Sequence, residues 1–231
     1  MSKTISIAID GPSGAGKSTT AASLSRKLNI LHLDTGAMYR AAGLACLNEG
    51  VKAGDADAII KVVKAADIDI AFEDNQQITK LNGENVNAKI RTNEVSKWAS
   101  DVSKIPEVRL KLVEIQRNLS NQISMILDGR DIGTFVLPDA EVKVYLTADE
   151  HKRAERRYKE LLNRGEDVDF EEVLKVQNYR DQQDKNREFA PLKQAEDAYL
   201  IDTTDLGIDE TADIIIKYMQ DELKIDLEEM K

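Results

Sequence analysis

Gly11-Pro12-Ser13-Gly14-Ala15-Gly16-Lys17-Ser18 fits the pattern G-x-x-x-x-G-K-[ST] and lies between an expected strand and an expected helix. The stretch before it, Thr4-Ile5-Ser6-Ile7-Ala8-Ile9, alternates β-branched apolar residues with small ones. The stretch after it, from Ser18 to Leu28, carries its apolar and small residues at helical spacing. A glycine-rich turn between a strand and a helix lets successive backbone N–H groups converge on phosphate oxygens, with the field of the helix N-terminus behind them. In such a loop Lys17 reaches the β- and γ-phosphates of a nucleotide, and the Ser18 hydroxyl is placed to bind Mg²⁺. An ordinary glycine-rich turn is the competing reading, and the flanking strand and helix argue against it.

The rest of the chain continues the alternation. Short apolar segments at Ile5–Ile9, Ile30–Leu33, Ser124–Leu127, Val142–Leu146 and Ala198–Ile201 read as buried strands. Helical patterns cover Gly36–Asn48, Pro106–Asn121, Asp149–Asn163, Phe170–Lys185 and Ile208–Leu223, with Asp149 and Asp209 as start signals and Gly165 after a helix end. Strands separated by helices imply an α/β fold, a five-stranded parallel sheet flanked by helices. The rhythm breaks from about Ile68 to Trp98. There Ile68–Phe72 and Gln77–Leu81 alternate like strands, Asn82-Gly83 signals a turn, and Glu84–Asn87 offers a further short strand. This predicts a small β-rich insertion, either part of a binding region or a plain surface hairpin.

Composition narrows the function classes. The 231 residues, 42% apolar and 32% charged, suit one sizeable core in a soluble globular protein. The N-terminal apolar stretch stops at Asp10, short of a signal-peptide core, so a cytoplasmic protein without membrane association is expected. Cys46 is the single cysteine, which excludes an intrachain disulfide and fits simple packing. A formal charge of −10 argues against a general nucleic-acid or membrane surface, so any polyanion must be held at a local basic site.

One such site is visible. Lys152 to Arg164 contains six basic and two acidic residues, and on a helix Arg153, Arg156 and Arg157 would fall at i, i+3 and i+4. The segment reads either as a solvated amphipathic helix or as a mobile arginine lid over a polyphosphate. Asp128-Gly129-Arg130-Asp131 comes directly after a strand, at the carboxyl end where ligands of open α/β sheets gather. Asp128 could act on a metal through water, Arg130 on phosphate and Asp131 as an acceptor, although a turn held by Asp/Arg pairing explains the same residues. Arg180, Asp184 and Arg187 share one helix face and could be only a salt-bridged surface. Asp34-Thr35-Gly36-Ala37-Met38-Tyr39-Arg40 comes after the second strand, which makes a second anion site plausible, with Tyr39 either packing or touching ligand. His32, His151 and Trp98 receive no chemical role, and Trp98 is expected to pack the insertion.

Taken together, GPSGAGKS, LDTGAMYR, DGRDIGT-F-V-LPDA-VKVYL and YRDQQDKNREFAPL resemble the bacterial cytidylate kinase (CMP kinase) family, of the nucleoside monophosphate kinase fold, nearly from end to end. The resemblance implies transfer of the γ-phosphoryl group of ATP to CMP or dCMP in pyrimidine nucleotide metabolism, with Mg²⁺. It also implies one domain over 1–231, containing an acceptor-side insertion at 63–102 and a helical lid at 149–190. Residues Gly11, Pro12, Ser13, Gly14, Ala15, Gly16, Lys17, Ser18 and Thr19 match the ATP loop, with Ser18 at the metal position. Thr35, Tyr39, Arg40, Ser100, Arg109, Arg130, Asp131, Arg180, Asp184 and Arg187 match acceptor-binding positions. Ser100, Arg109 and Asp131 are the ones expected to read the base. Lys17, Arg130, Arg153 and Arg157 are the expected catalytic cations, and the expected assembly is a monomer. A kinase for UMP, AMP or another small acceptor, and a nucleotide-binding regulatory module, remain as alternatives.

Overall fold

The computed structural model describes residues 4–227, so the outermost residues of the expected 1–231 domain lie outside it. The fold is α/β. Strands β1 (Ser6–Asp10), β2 (Leu31–Asp34), β6 (Met125–Gly129), β7 (Val142–Thr147) and β8 (Tyr199–Asp202) form a five-stranded sheet in the order β2-β6-β1-β7-β8. Strand β1 pairs in parallel with β7, Ile7 opposite Val142 through Asp10 opposite Tyr145. In turn β7 pairs in parallel with β8, from Val144 opposite Tyr199 to Thr147 opposite Asp202. The chain divides into two compact units, one made of the residues up to Ile30 together with those from Ile126 onward, the other of Leu31–Met125.

The first unit is built on the apolar alternation of its strands. Ile7, Ile9, Ile126, Val144 and Leu146 are essentially fully buried. They share a core with Leu24 of α1 (Lys17–Leu28) and with Ala212, Ile215 and Met219 of α8 (Ile208–Asp221). Between β7 and β8 lie α6 (Glu150–Asn163) and α7 (Phe170–Asn186). Asp149 caps α6 by accepting from the amides of His151 and Lys152, as its position before an apolar-periodic run predicts. For α8 the cap is Gly207, whose amide donates to Glu210 at 3.2 Å. Asp209 lies in the first turn and accepts from the Ser23 hydroxyl on α1. Glycine is obligatory at Gly11, where φ is +148° and a Cβ would lie 2.0 Å from the Leu146 carbonyl oxygen.

The second unit carries α2 (Thr35–Asn48), α3 (Ala56–Ala65), the antiparallel strands β3 (Ile68–Glu73), β4 (Gln76–Leu81) and β5 (Glu84–Asn85), then α4 (Asn93–Val102) and α5 (Pro106–Ser120). The expected hairpin is present, with Ile68 opposite Leu81 and Glu73 opposite Gln76. The β-rich stretch ends at Asn85 instead of reaching Trp98. Past it the chain forms a tight turn at Lys89–Arg91 and then α4, capped by Thr92. Helix α3, capped by Asp55, is a further element outside the expectations, although Ile59 and Val63 stand at i, i+4 on its buried side. Its last carbonyls are satisfied from α5, where the Lys111 ammonium donates to the Val63 oxygen at 2.8 Å and the Lys64 oxygen at 3.1 Å. Cys46 on α2 is fully buried and its thiol is pushed up to about 11 by burial, in keeping with simple packing. Among the described residues no helix is long and apolar enough to cross a membrane.

Trp98 lies on α4 where that helix meets Gly43 of α2. A Cβ on Gly43 would lie 2.8 Å from the Trp98 Cβ and 3.0 Å from the Ala99 amide nitrogen. A mid-helix Gly→Ala change gains about 1 kcal/mol of helix propensity, whereas overpacking against atoms that cannot rotate away costs about 1–3 kcal/mol. The second effect wins here, so Gly43→Ala is expected to lower the urea midpoint. A raised midpoint would show that α2 and α4 are not in this contact.

Candidate functional site

The turn Gly11–Gly16 leaves the carboxyl end of β1 and delivers Lys17 into the first turn of α1. Gly14 and Gly16 adopt positive φ, +75° and +85°, and this alternation of backbone hand is what lets consecutive amides face one centre. Lys17 is buried, and its ammonium donates to the Pro12 carbonyl at 2.7 Å. The Ser18 hydroxyl donates to Asp128 at the end of β6 at 2.7 Å, so a hydroxyl and a carboxylate stand together beside the loop. These are the hard oxygen ligands Mg²⁺ prefers. That ion takes one or two protein oxygens plus phosphate and water, so it does not need the cluster of three acids, which is absent among the described residues.

Beyond β6 the chain makes a wide turn, Ile132–Val136, whose first amides have a buried receiver. Asp10 accepts from Ile132 N–H at 2.8 Å and from Gly133 N–H at 2.7 Å, one per carboxylate oxygen. Burial raises the Asp10 carboxyl to about 7; the two amides pull the other way and the neighbouring Asp131 charge adds to the rise. The last residue of β1 thus holds the segment that presents Arg130 and Asp131. Arg130 Nε donates to Asp184 at 2.7 Å, and Arg187 donates to Asp131 at 3.0 Å in a pair whose side chains are 7% and 5% exposed. Four residues named from separate sequence blocks therefore meet as two ion pairs at the end of β6 and on and beside α7.

The cations form a chain around the loop. Burial and then the Arg130 charge lower the Lys17 ammonium to about 7. Arg180 on α7 is lowered by burial, then by Arg157 and Arg130, and it makes no hydrogen bond among the described residues. Burial works against the charge of Arg130 too, yet Asp184 holds that group above its ordinary value, with smaller help from Asp181 and Asp128. Arg157 is paired with Glu160 at 2.8 Å on the α6 surface. Like charges gathered in this way are the arrangement that an arriving anion relieves.

Arg153 differs from the free lid cation expected at its position. It is buried, and its guanidinium donates to Ala148 O at 3.0 Å, to Ser13 O at 2.8 Å and to Asp181. Its place in the first turn of α6 puts it against the outside of the loop. Asp181, inside the YRDQQDKNREFAPL block but without an expected role, and Gln177 just before that block are buried on α7 beside it. Asp181 accepts from Ser13 N–H at 3.1 Å, and a Cβ at Gly14 would lie 3.1 Å from Gln177 Oε1. The i, i+4 spacing of Gln177 and Asp181, polar residues on a helix side that must face inward, is the signal that could have found them.

In the second unit, Thr35 is buried at the start of α2, and Asp34 caps that helix through Ala37 N–H at 3.1 Å. Arg40 pairs with Asp34 at 2.6 Å. The Arg109 guanidinium lies 5.3 Å from the centre of the Tyr39 ring and donates to Ser103 O at 3.3 Å. Ser100 lies half-buried on α4.

Because the Lys17 ammonium is lowered to about 7, a phosphate that restores its charge must bring in a proton whenever the free group has lost one. Binding of ADP, whose own phosphates are fully ionised there, is therefore expected to take up close to one proton at about pH 8.5 and to weaken by roughly tenfold per unit of rising pH. Calorimetry in two buffers of different ionisation enthalpy reads the uptake, and an identical heat in both would contradict the lowered value.

The sequence model described as cytidylate kinase matches residues 7–221. The cytidylate kinase of Caldicellulosiruptor saccharolyticus is 51% identical over 215 residues, covering 93% of this chain and 95% of that one. That of Clostridioides difficile is 48% identical over 210 residues, 91% of this chain and 95% of the relative, and that of Pasteurella multocida 44% over 225 residues, 97% and 99%. Among solved structures, an uncharacterized protein from Eubacterium ventriosum superposes with a TM-score of 0.53 at 17% identity over 94% of this chain and 99% of that chain, a likeness of fold. On the family match and on identity running through nearly the whole length, the chain belongs to the cytidylate kinase family.

Proposed function

We propose that the protein transfers the γ-phosphoryl group of ATP to CMP or dCMP, releasing ADP and CDP or dCDP. The observation that carries this reading is the chain of buried or half-buried cations, Lys17, Arg130 and Arg180, set beside a glycine-rich loop in a protein whose net charge is −10. Such a concentration of positive charge is explained by polyanions larger than one phosphate. The family match names the acceptor class.

In this reading Lys17 and the amides of the loop bind the β- and γ-phosphates, and Ser18, with Asp128 behind it, is the protein's contribution to Mg²⁺ binding. Bound there, the ion would neutralise phosphate charge. An acceptor phosphate dianion is already a nucleophile near neutral pH, so no general base is required. What the protein must do is bring two anions into line and offset their repulsion. Arg130, Arg157 and Arg180 serve that purpose. Arg130 leaves Asp184 only partly, because its Nε contact still allows the outer nitrogens to meet a phosphate. Residues 149–190 act as the lid region and residues 63–102 serve the acceptor side. Thr35, Tyr39, Arg40, Ser100, Arg109, Asp131, Asp184 and Arg187 are the residues that the family resemblance assigns to acceptor binding. The protein works as a cytoplasmic monomer on small-molecule substrates.

Base choice rests on Asp131. Cytosine offers its N4 hydrogens to a carboxylate, whereas uracil presents the O4 acceptor there, which leaves a buried carboxylate facing an oxygen. Such a mismatch costs about 1–3 kcal/mol. The same buried carboxylate already neutralises Arg187, so Asp131→Asn is a cleaner probe than removal of the side chain.

ADP release measured with CMP, dCMP, UMP and AMP tests the reading. CMP and dCMP are expected to be the strong acceptors, and a preference for AMP or the absence of acceptor-dependent turnover would overturn it. Asp131→Asn is expected to reduce the CMP-over-UMP ratio of kcat/KM by about tenfold or more while leaving the KM for ATP near its original value; an unchanged ratio would remove Asp131 from base reading. Lys17→Ala should lower kcat by roughly 10²–10³-fold in a folded protein, and near-normal turnover would refute its role.

A further inference from the structure

Three consecutive carbonyls of the phosphate loop are held from outside by side chains that no substrate contact requires. Ser13 O accepts from Arg153 at 2.8 Å, Gly14 O from Arg156 at 3.5 Å, and Ala15 O from the Thr203 hydroxyl at 3.1 Å. A planar trans peptide points its C=O and the next N–H in opposite directions. Holding the oxygens of residues 13, 14 and 15 on one side therefore turns the N–H groups of Gly14, Ala15 and Gly16 to the other, the Ala15 N–H making a long 3.4 Å contact with Pro12 O across the loop. The holders support one another. Arg156 also donates to the Thr203 hydroxyl at 3.1 Å and to the backbone oxygens of Thr203 and Thr204, and Arg153 is fixed by Asp181. Thr203 has a single hydroxyl hydrogen between two carbonyls. The other one, Thr147 O, already receives the Thr203 amide at 2.8 Å. The hydroxyl lies 3.1 Å from Ala15 O and 3.0 Å from Thr147 O, so its one hydrogen is shared between the loop and the end of β7.

We infer that Thr203 and Arg156 are positioning residues for the donor. They set the direction of the phosphate-binding amides from behind the loop, and Thr203 does so although it lies just past β8, far along the chain from the loop. The inference rests on the donor-loop part of the functional reading and is independent of which acceptor is phosphorylated. It separates the α6 arginines by task, with Arg153 and Arg156 behind the loop and Arg157 on the helix surface.

Thr203→Val keeps the shape of the side chain and removes only the hydroxyl. It is expected to raise the dissociation constant for ADP, measured directly by calorimetry, about five- to tenfold, the loss of one aligned hydrogen bond. The KM for ATP should rise by a similar factor and the KM for CMP should stay within about twofold. Thr203→Ser, which retains the donor, should restore ADP binding. Arg156→Lys keeps the charge but cannot span Gly14 and Thr203 together, and it should show the same loss for ADP; it also serves if the valine variant does not fold. Unchanged ADP affinity in a folded Thr203→Val or Arg156→Lys protein, an equal loss for both substrates, or a serine variant as weak as valine would overturn the assignment. Because ADP binding needs no acceptor, these outcomes stay readable even if CMP is not the substrate.

Discussion

The structure depends on keeping positive charge buried around one loop. Burial lowers Lys17 to about 7 and works against Arg180, and each of these groups feels Arg130 as well. The protein makes this arrangement tolerable with carboxylates placed one step away. Asp184 takes Arg130, Asp131 takes Arg187 and Asp181 takes Arg153. Isolated buried ion pairs add little net stability, since the cost of leaving water offsets their attraction. Here they fix where the guanidinium groups stand. Arg180 lacks such a bond among the described residues and feels Arg157 and Arg130 beside it.

Geometry is handled by a separate set of residues. Asp10 ties the turn after β6 to the end of β1 through two amides, and the outside of the loop is held by Arg153, Arg156 and Thr203. Donors prearranged in a water-poor site need no reorganisation when charge develops on the transferring group, which is where most of the catalytic gain in phosphoryl transfer arises. Helix α7 takes part in both tasks. Gln177 and Asp181 face the loop, and Arg180 and Asp184 lie close to them in sequence among the groups assigned to phosphate and acceptor.

Much of this is legible in the residues. The strand, loop and first helix come from alternation, glycine spacing and helical periodicity at Thr4 to Leu28, and the remaining sheet strands are apolar runs displaced by a residue or so at their ends. The two helices outside the expectations, α3 and α4, are capped by Asp55 and Thr92 and are strongly amphipathic, so their signal is present in Ile59 and Val63 and in Val95 and Val102. Their neighbourhood is dominated by the stronger hairpin signal at Asn82-Gly83, which extends the β-rich expectation too far. In the site, residues that carry a motif belong together where the structure pairs them, as with Arg130 and Asp184 or Asp131 and Arg187. Those that act through backbone groups are not visible. Nothing local marks Thr203 as a partner of Ala15, or Asp10 as the receiver of Ile132 and Gly133, because a hydrogen bond across more than a hundred residues leaves no spacing to read. Arg153 is recognisable as a cation, but only burial shows that its guanidinium is already committed to carbonyls and to Asp181.

The central claim is that two nucleotides are held together with their phosphates meeting at this cluster of cations. A titration with adenosine and cytidine joined through five phosphates tests it most directly, read by calorimetry with ATP and CMP as competitors. The account requires one molecule bound per chain, more tightly than either nucleotide alone, and displaced by both. Binding that only ATP can displace, with CMP without effect at any concentration, would contradict it.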